Sequence, residues 1–228
     1  MLKNLEEKFN FYCNSKNLEI NHNQILVIKK LQDYYNKNFR SFVLNFFYKK
    51  NHKKSFYLYG DVGVGKTMIL DFFFNQIQEK KKRLHFNEFM LNFHDFAHER
   101  KNKNDQNVIN LFVKNLKLEV SLLFFDEFQV TNIADAMILG KLFDEIFKEN
   151  IKIILTSNTK ISELYKEGLQ RDQFKPFINI MEKRSFEHEL KIEDDYRKSN
   201  ENKKQRYFFP LNQETNFKIN KFFRIITK

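Results

Sequence analysis

Three glycines, a lysine and a threonine fall together in the string GDVGVGKT at residues 60–67. The string fits the pattern G-x-x-x-x-G-K-[ST], in which glycines let the backbone approach phosphate oxygens closely. Backbone N–H groups of such a loop wrap the β- and γ-phosphates of a nucleotide. The helix that follows points its positive end at the anion. Gly60, Gly63 and Gly65 are three of only five glycines in the chain, so composition does not explain the cluster. A chance match in a chain of this length is of order ~1% at ordinary residue frequencies. Lys66 is expected to bridge the β- and γ-oxygens of ATP, and the Thr67 hydroxyl to ligate Mg²⁺. Asp61, Val62, Val64 and the following Met68 complete the expected nucleotide-binding segment.

A second element follows about 60 residues later, in Leu122-Leu123-Phe124-Phe125-Asp126-Glu127. Four apolar residues fit a strand rising through a core. Asp126 then emerges at its C-terminal end, where ligands bind in parallel sheets. Asp126 can hold the hydration shell of Mg²⁺, and Glu127 can polarise the attacking water as general base. The third element is the apolar run 151–155 leading into Thr156-Ser157-Asn158. Asn158 is the candidate to reach the γ-phosphate or the lytic water, although a plain Ser/Asn turn after a strand accounts for the string equally well. The adjacent acid Glu127 and the separate polar strand end favour the additional-strand class of P-loop ATPases over kinases and small GTPases.

The elements that must position these residues follow from hydrophobic periodicity. Ile25, Ile28, Leu31 and Tyr35 recur at helical spacing, as do Phe42, Phe46 and Phe47, so residues 1–50 read as helical. A polar break at 51–54 precedes a strand at 55–59, the glycine-rich turn, and a helix at 68–77. A strand at 83–86, a helix from 87 to about 101, a polar loop at 101–106 and a helix at 108–118 come next. The run 122–125 fits a strand buried on both faces. Asn132 with Asp135 three residues on resembles a capping box that opens a helix to about residue 148. A strand at 151–155, helices at 161–165 and 174–182, and an alternating strand at 186–192 follow. Residues 194–205 are charged and fit a linker, and 217–226 a further helix. Strands alternating with helices imply an α/β fold whose parallel sheet is covered on both faces.

The 228 residues, 42% of them hydrophobic, suit one sizeable globular core. The net charge of +11 can attract nucleic acid or anionic lipid, but a lysine-rich composition explains it more simply than a dedicated polyanion site. The single cysteine, Cys13, excludes an internal disulfide framework and fits a reducing compartment. No apolar run approaches the roughly 18 residues of a membrane helix, and the N-terminus lacks a signal core, so a cytoplasmic location is expected. His94 and His98 stand one helical turn apart, but Asp95 replaces the glutamate of a zinc-protease helix. A solvated helix face is the better reading there. The basic run 80–83 reads as a solvated edge or subunit contact, and the Phe-rich stretch 71–74 as core.

Further strings point to one family: HFNEFM at 85–90 with His94, FFDEFQVTNIADAMILGKLF at 124–143, LTSN at 155–158, LYKEGLQRDQFKPFI at 164–178 and DYR at 195–197. From about residue 18 to about residue 211 the chain resembles the bacterial ZapE and mitochondrial AFG-like ATPases, a branch of the AAA+ proteins. The resemblance implies a P-loop NTPase of AAA+ type acting as a homo-oligomer. In bacteria it implies recruitment to the division site through a tubulin-like division protein. It assigns Gly60, Gly63, Gly65, Lys66 and Thr67 to the phosphate loop. Asp126 and Glu127 become the Mg²⁺ and water-activating acids, Asn158 the sensor, and Arg171 of GLQR an arginine finger. The implied organisation is a helical N-terminal segment at 1–54, an ATPase core at 55–193, and a linker with an incomplete C-terminal region at 194–228. Members of the family usually continue beyond the counterpart of Tyr207-Phe208-Phe209-Pro210-Leu211, so a truncated lid-like region is expected. Two other functions stay open: a nucleic-acid-linked ATPase such as a helicase loader, and an ATP-binding regulator with little turnover.

Overall fold

Apolar residues at helical spacing open the chain in two helices, α1 (Leu5–Ser15) and α2 (His22–Asn38). The Asn21 side chain accepts a hydrogen bond from the Asn23 N–H and so caps α2. The computed structural model describes residues 2–39, 53–100 and 105–191. The expected Phe42–Phe46–Phe47 face, the linker at 194–205 and the helix at 217–226 lie outside those residues.

The remaining elements are β1 (Ser55–Tyr59), α3 (Lys66–Gln76), β2 (Lys81–His85), α4 (Phe86–His98), α5 (Asp105–Glu119) and β3 (Leu122–Asp126). They continue with α6 (Ile133–Lys148), β4 (Lys152–Ser157), α7 (Arg171–Arg184) and β5 (Ser185–Glu189). The five strands form one sheet in the order β2-β3-β4-β1-β5, and every neighbouring pair is parallel. β4 lies between β1 and β3, which is the additional strand expected from the sequence. Register brings the strand ends level: His85 faces Asp126, Phe125 faces Leu155, and Tyr59 faces Ser157. All chemistry-bearing strand ends therefore share one edge of the sheet.

Alternating side chains feed two cores. Phe56, Leu58, Phe124 and Ile154 pack with Phe9 of α1, Ile28 and Leu31 of α2, and Leu70 and Phe73 of α3. Tyr57, Leu123, Phe125 and Leu155 pack with Phe89 of α4, Val113 of α5, Phe143 of α6 and Phe177 of α7. The phenylalanine-rich composition thus becomes linked aromatic contacts across the second core. No helix among the described residues is long and apolar enough to cross a membrane.

Several boundaries differ from the sequence reading. β2 begins at Lys81, two residues early, because an edge strand tolerates charged side chains: Lys82 and Arg83 are exposed while Leu84 is buried. α4 consequently starts at Phe86, and α5 already at Asp105, inside the expected loop. The expected helix at 161–165 is only a 3₁₀ turn, Ile161–Glu163. α7 starts at Arg171, after Gln170 in a left-handed conformation. β5 begins at Ser185 and ends at Glu189. Asn132 caps α6 by accepting from the Ala134 N–H, but Asp135 does not close a capping box. Its carboxylate binds His94 Nε2 at 2.7 Å, tying α6 to α4.

Phe143 is fully buried and meets Phe177 edge-on at 5.0 Å between ring centroids. Phe143→Ala is expected to cost about 3–5 kcal/mol through lost burial and a residual cavity. Urea denaturation measures this, and a loss below about 1 kcal/mol would show that the site collapses around the deletion.

Candidate active site

The loop between β1 and α3 is shaped by close approaches. At Gly60, φ is +150°, and a Cβ there would lie 2.3 Å from the Leu190 carbonyl oxygen. The Leu190 N–H donates to the Tyr59 carbonyl, so the segment after β5 presses on the start of the loop. Gly65 has φ +90°, and a Cβ there would lie 2.9 Å from Gln24 Nε2. Gln24, only 2% exposed, reaches over from α2 and donates to the Val64 carbonyl at 3.2 Å. Val62 and Asp61 are exposed, whereas Val64 is buried and Met68 half-buried. Lys66 is buried at the first turn of α3, with Nζ donating to the carbonyls of Gly60 (2.8 Å) and Asp61 (2.7 Å). The cationic head therefore lies folded over the loop's own backbone.

Asp126 is the junction between loop and sheet. Its Oδ1 accepts from the Thr67 hydroxyl at 2.9 Å and the Thr156 hydroxyl at 2.7 Å. Its Oδ2 accepts from Arg83 Nη2 at 2.6 Å. Burial pushes this carboxyl upward, but the hydrogen bonds from Thr156, Arg83 and Thr67 outweigh it, and Asp126 titrates below the usual range. Asp71 on α3 goes the other way. Burial raises it, and the charge of Asp126 adds to the rise while Arg83 opposes it. Because Thr67 gives its proton to Asp126, its lone pairs remain available. A hydroxyl and a carboxylate held in this way are the hard oxygen donors that suit Mg²⁺.

Glu127 follows with φ +53°, a left-handed conformation that costs a non-glycine residue about 1–2 kcal/mol. Hydrogen bonds to β4 impose it. The Glu127 N–H donates to Thr156 Oγ1 at 2.9 Å and the Phe128 N–H to the Thr156 carbonyl at 2.7 Å. Ser157 Oγ in turn donates to the Phe128 carbonyl at 3.0 Å. The Glu127 side chain is thereby turned into the open, on the wall of a cavity of about 380 Å³. His85, Asn87, Asp126 and Asn158 line the same cavity. The structure so brings Glu127 and Asn158 together, and joins Thr67 to Asp126. Arg171 is not among them: its Nη2 donates at 2.7 Å to the carbonyl of Ser162, in the 3₁₀ turn.

Three contributors escaped the sequence reading. Thr156 links Asp126 to Glu127, and its signal was a threonine closing an apolar strand. Gln24 left no local signal. Arg83 belonged to a run read as solvated, yet it bridges Asp71 and Asp126 at 2.6 Å each.

Comparison with known proteins identifies a family and a fold. The family model of AFG1-like ATPases matches residues 6–228. A Danio rerio protein, lactation elevated protein 1 homolog B, is 42% identical over 143 residues, which cover 58% of this chain and 28% of that protein. Cell division protein ZapE of Escherichia coli K12 is 34% identical over 169 residues, covering 74% of this chain and 44% of that protein. The chain thus spans less than half the length of the curated relatives it matches. Among solved structures, DnaI superposes with a TM-score of 0.52 at 17% identity, over 78% of this chain and 87% of that one. The replication initiator DnaA bound to AMPPCP and single-stranded DNA gives 0.53 at 18% identity, over 89% of this chain and 57% of that one. These two likenesses establish a shared P-loop NTPase fold.

Thr156→Val keeps side-chain shape and removes both hydrogen bonds, and a loss of about 1–3 kcal/mol is expected near neutral pH. Asp126, with a depressed folded pKa, contributes stability that is present above the ordinary carboxylate value and lost as pH falls through the folded one. Without Thr156 the folded pKa rises, so less stability is left to lose. The gap between wild type and variant should therefore shrink from about pH 7 to about pH 3 in urea titrations. A gap that widens on acidification would contradict this role.

Proposed function

The chain belongs to the AFG1-like ATPase family, and from that premise we propose that it binds ATP at the loop 60–67 and hydrolyses it. The observation that carries the proposal is the Thr67–Asp126 hydrogen bond, which closes the loop onto the acid at the end of β3 with Glu127 next in line. The triphosphate lies on the backbone N–H groups of the loop and the N-terminus of α3. Lys66 exchanges its two carbonyl partners for β- and γ-oxygens. Thr67 and Asp126 would hold Mg²⁺, which would supply positive charge to offset that of the phosphates. Glu127 accepts a proton from water as the water oxygen bonds to the γ-phosphorus. The bond from that phosphorus to the β–γ bridging oxygen breaks, leaving ADP and inorganic phosphate. Asn158, which lines the same cavity, orients the water or the γ-phosphate.

The finer reading is a homo-oligomer that remodels a protein partner. Arg171 serves there as a finger on the nucleotide of the neighbouring copy. Within its own subunit Arg171 lies outside the cavity that Glu127 and Asn158 line, with Nη2 donating to the Ser162 carbonyl, and a contribution to that same subunit's nucleotide is therefore not the role proposed. Similarity to a cell division protein supports recruitment to the division site, and the family resemblance alone suggests a cytoplasmic location and a tubulin-like division protein as partner. The net charge of +11 favours a second reading, ATP turnover coupled to nucleic acid. Binding of single-stranded DNA that falls steeply with salt would select that second reading.

Lys66→Ala should weaken ATP binding strongly, because the side-chain cation on the β- and γ-phosphates is lost. Glu127→Gln should bind ATP normally and lose on the order of 10²–10⁴ in turnover. Calorimetric titration and steady-state phosphate release measure the two. Unchanged affinity in the first would remove the phosphate loop from its role, and unchanged turnover in the second would remove Glu127 as base. Mixing Arg171→Ala with Lys66→Ala protein should partly restore activity, since some interfaces then pair an intact loop with an intact arginine. No recovery in demonstrated mixed oligomers would contradict the role in trans.

A further inference from the structure

Arg83 leaves the edge strand β2 and lies between α3 and β3. Its Nη1 donates to Asp71 Oδ1 and its Nη2 to Asp126 Oδ2, each at 2.6 Å, and the guanidinium lies 5.0 Å from the centre of the Phe124 ring. Asp71 stands one helical turn after Thr67 on α3, so a second carboxylate lies beside the proposed cation ligands Thr67 and Asp126 and shares Arg83 with the latter. Oδ1 of Asp126 already accepts from Thr67 and Thr156, and its other oxygen is taken by a cation of the protein itself.

We propose that Arg83 is a positioning residue that acts as the resident counter-cation of Asp126, suppressing divalent-cation binding until nucleotide arrives. The inference rests on reading the site as one for Mg²⁺ and ATP. Two uncompensated carboxylates beside a ligating hydroxyl would attract a divalent cation from solution. One guanidinium shared between them cancels one of the two charges and occupies one lone pair of Asp126 Oδ2. Cation binding then needs a further anion, and the triphosphate supplies it. Arginine suits the task because its fork reaches both acids at once, and its guanidinium lies within cation–π range of Phe124. The same bridge fixes β2 against α3 and β3, so the acids keep their places while no metal is bound.

The test uses Mn²⁺ as probe on the full chain without nucleotide, with bound ion followed by electron paramagnetic resonance. Arg83→Gln should bind Mn²⁺ at least about tenfold more tightly than wild type. Arg83→Met, which retains the stem against Phe124, is the second neutral variant should Gln fail to fold. Arg83→Lys, which restores the charge, should return binding to near the wild-type level. Asp71→Asn combined with Arg83→Gln should abolish the gain. In EDTA, a fluorescent ATP analogue should bind Arg83→Gln more weakly than wild type, because a bare carboxylate then faces the phosphates. Equal Mn²⁺ affinity in wild type and both neutral variants would overturn the role of Arg83. Failure of wild type to bind the ATP analogue at all would instead overturn the reading of the site.

Discussion

Burying a carboxylate demands hydrogen bonds to the lone pairs that water would otherwise serve. Asp126, 5% exposed at the end of β3, meets that demand from three separate elements: Thr67 on α3, Thr156 on β4 and Arg83 on β2. Each partner does a second thing. Thr67 sits next to Lys66 and so ties the phosphate loop to the sheet. Thr156 accepts the Glu127 N–H and forces the left-handed turn that presents that side chain to the cavity. Arg83 reaches on to Asp71 and fixes the edge strand. The spatial relation among loop, acid and base is thus set by the needs of one carboxylate.

The same economy explains the helices that precede the sheet. α1 and α2 share a core with β1, β3 and β4, and that packing lets Gln24 reach the loop from behind. The Leu190 backbone leaves no room for a side chain at Gly60, and at Gly65 the positive φ and the nearby Gln24 amide both disfavour one. The glycines of this loop therefore answer to the protein's own neighbours as well as to phosphate. Gln24 Oε1 is among the buried side-chain atoms that have no hydrogen-bond partner among the described residues.

What could be read from the sequence was local. The strand β1, the glycine-rich turn, and the strands ending at Asp126 and near Asn158 are contiguous strings whose residue types declare their positions. So is the sheet class, because a polar strand end separate from the acids implies an additional strand between β1 and β3. What could not be read depends on separation. Arg83 lies 43 residues from Asp126 and Gln24 lies 40 from Val64, and no periodicity encodes those meetings. β2 was misplaced because its lysines resemble a loop, and only its place at the sheet edge makes them tolerable. Asp135 had the spacing of a capping residue, but a tertiary partner, His94, won the carboxylate.

The most direct test of Asp126 as the organising acid is the magnesium dependence of ATP binding in Asp126→Asn, a change that keeps size and removes charge. Affinity is measured by calorimetry with Mg²⁺ and again with EDTA. Wild type should bind ATP at least about tenfold more tightly with Mg²⁺. The variant should bind with similar affinity in both conditions, near the wild-type value in EDTA. An Asp126→Asn protein that keeps the full magnesium-dependent gain would contradict the assignment of this carboxylate to the cation.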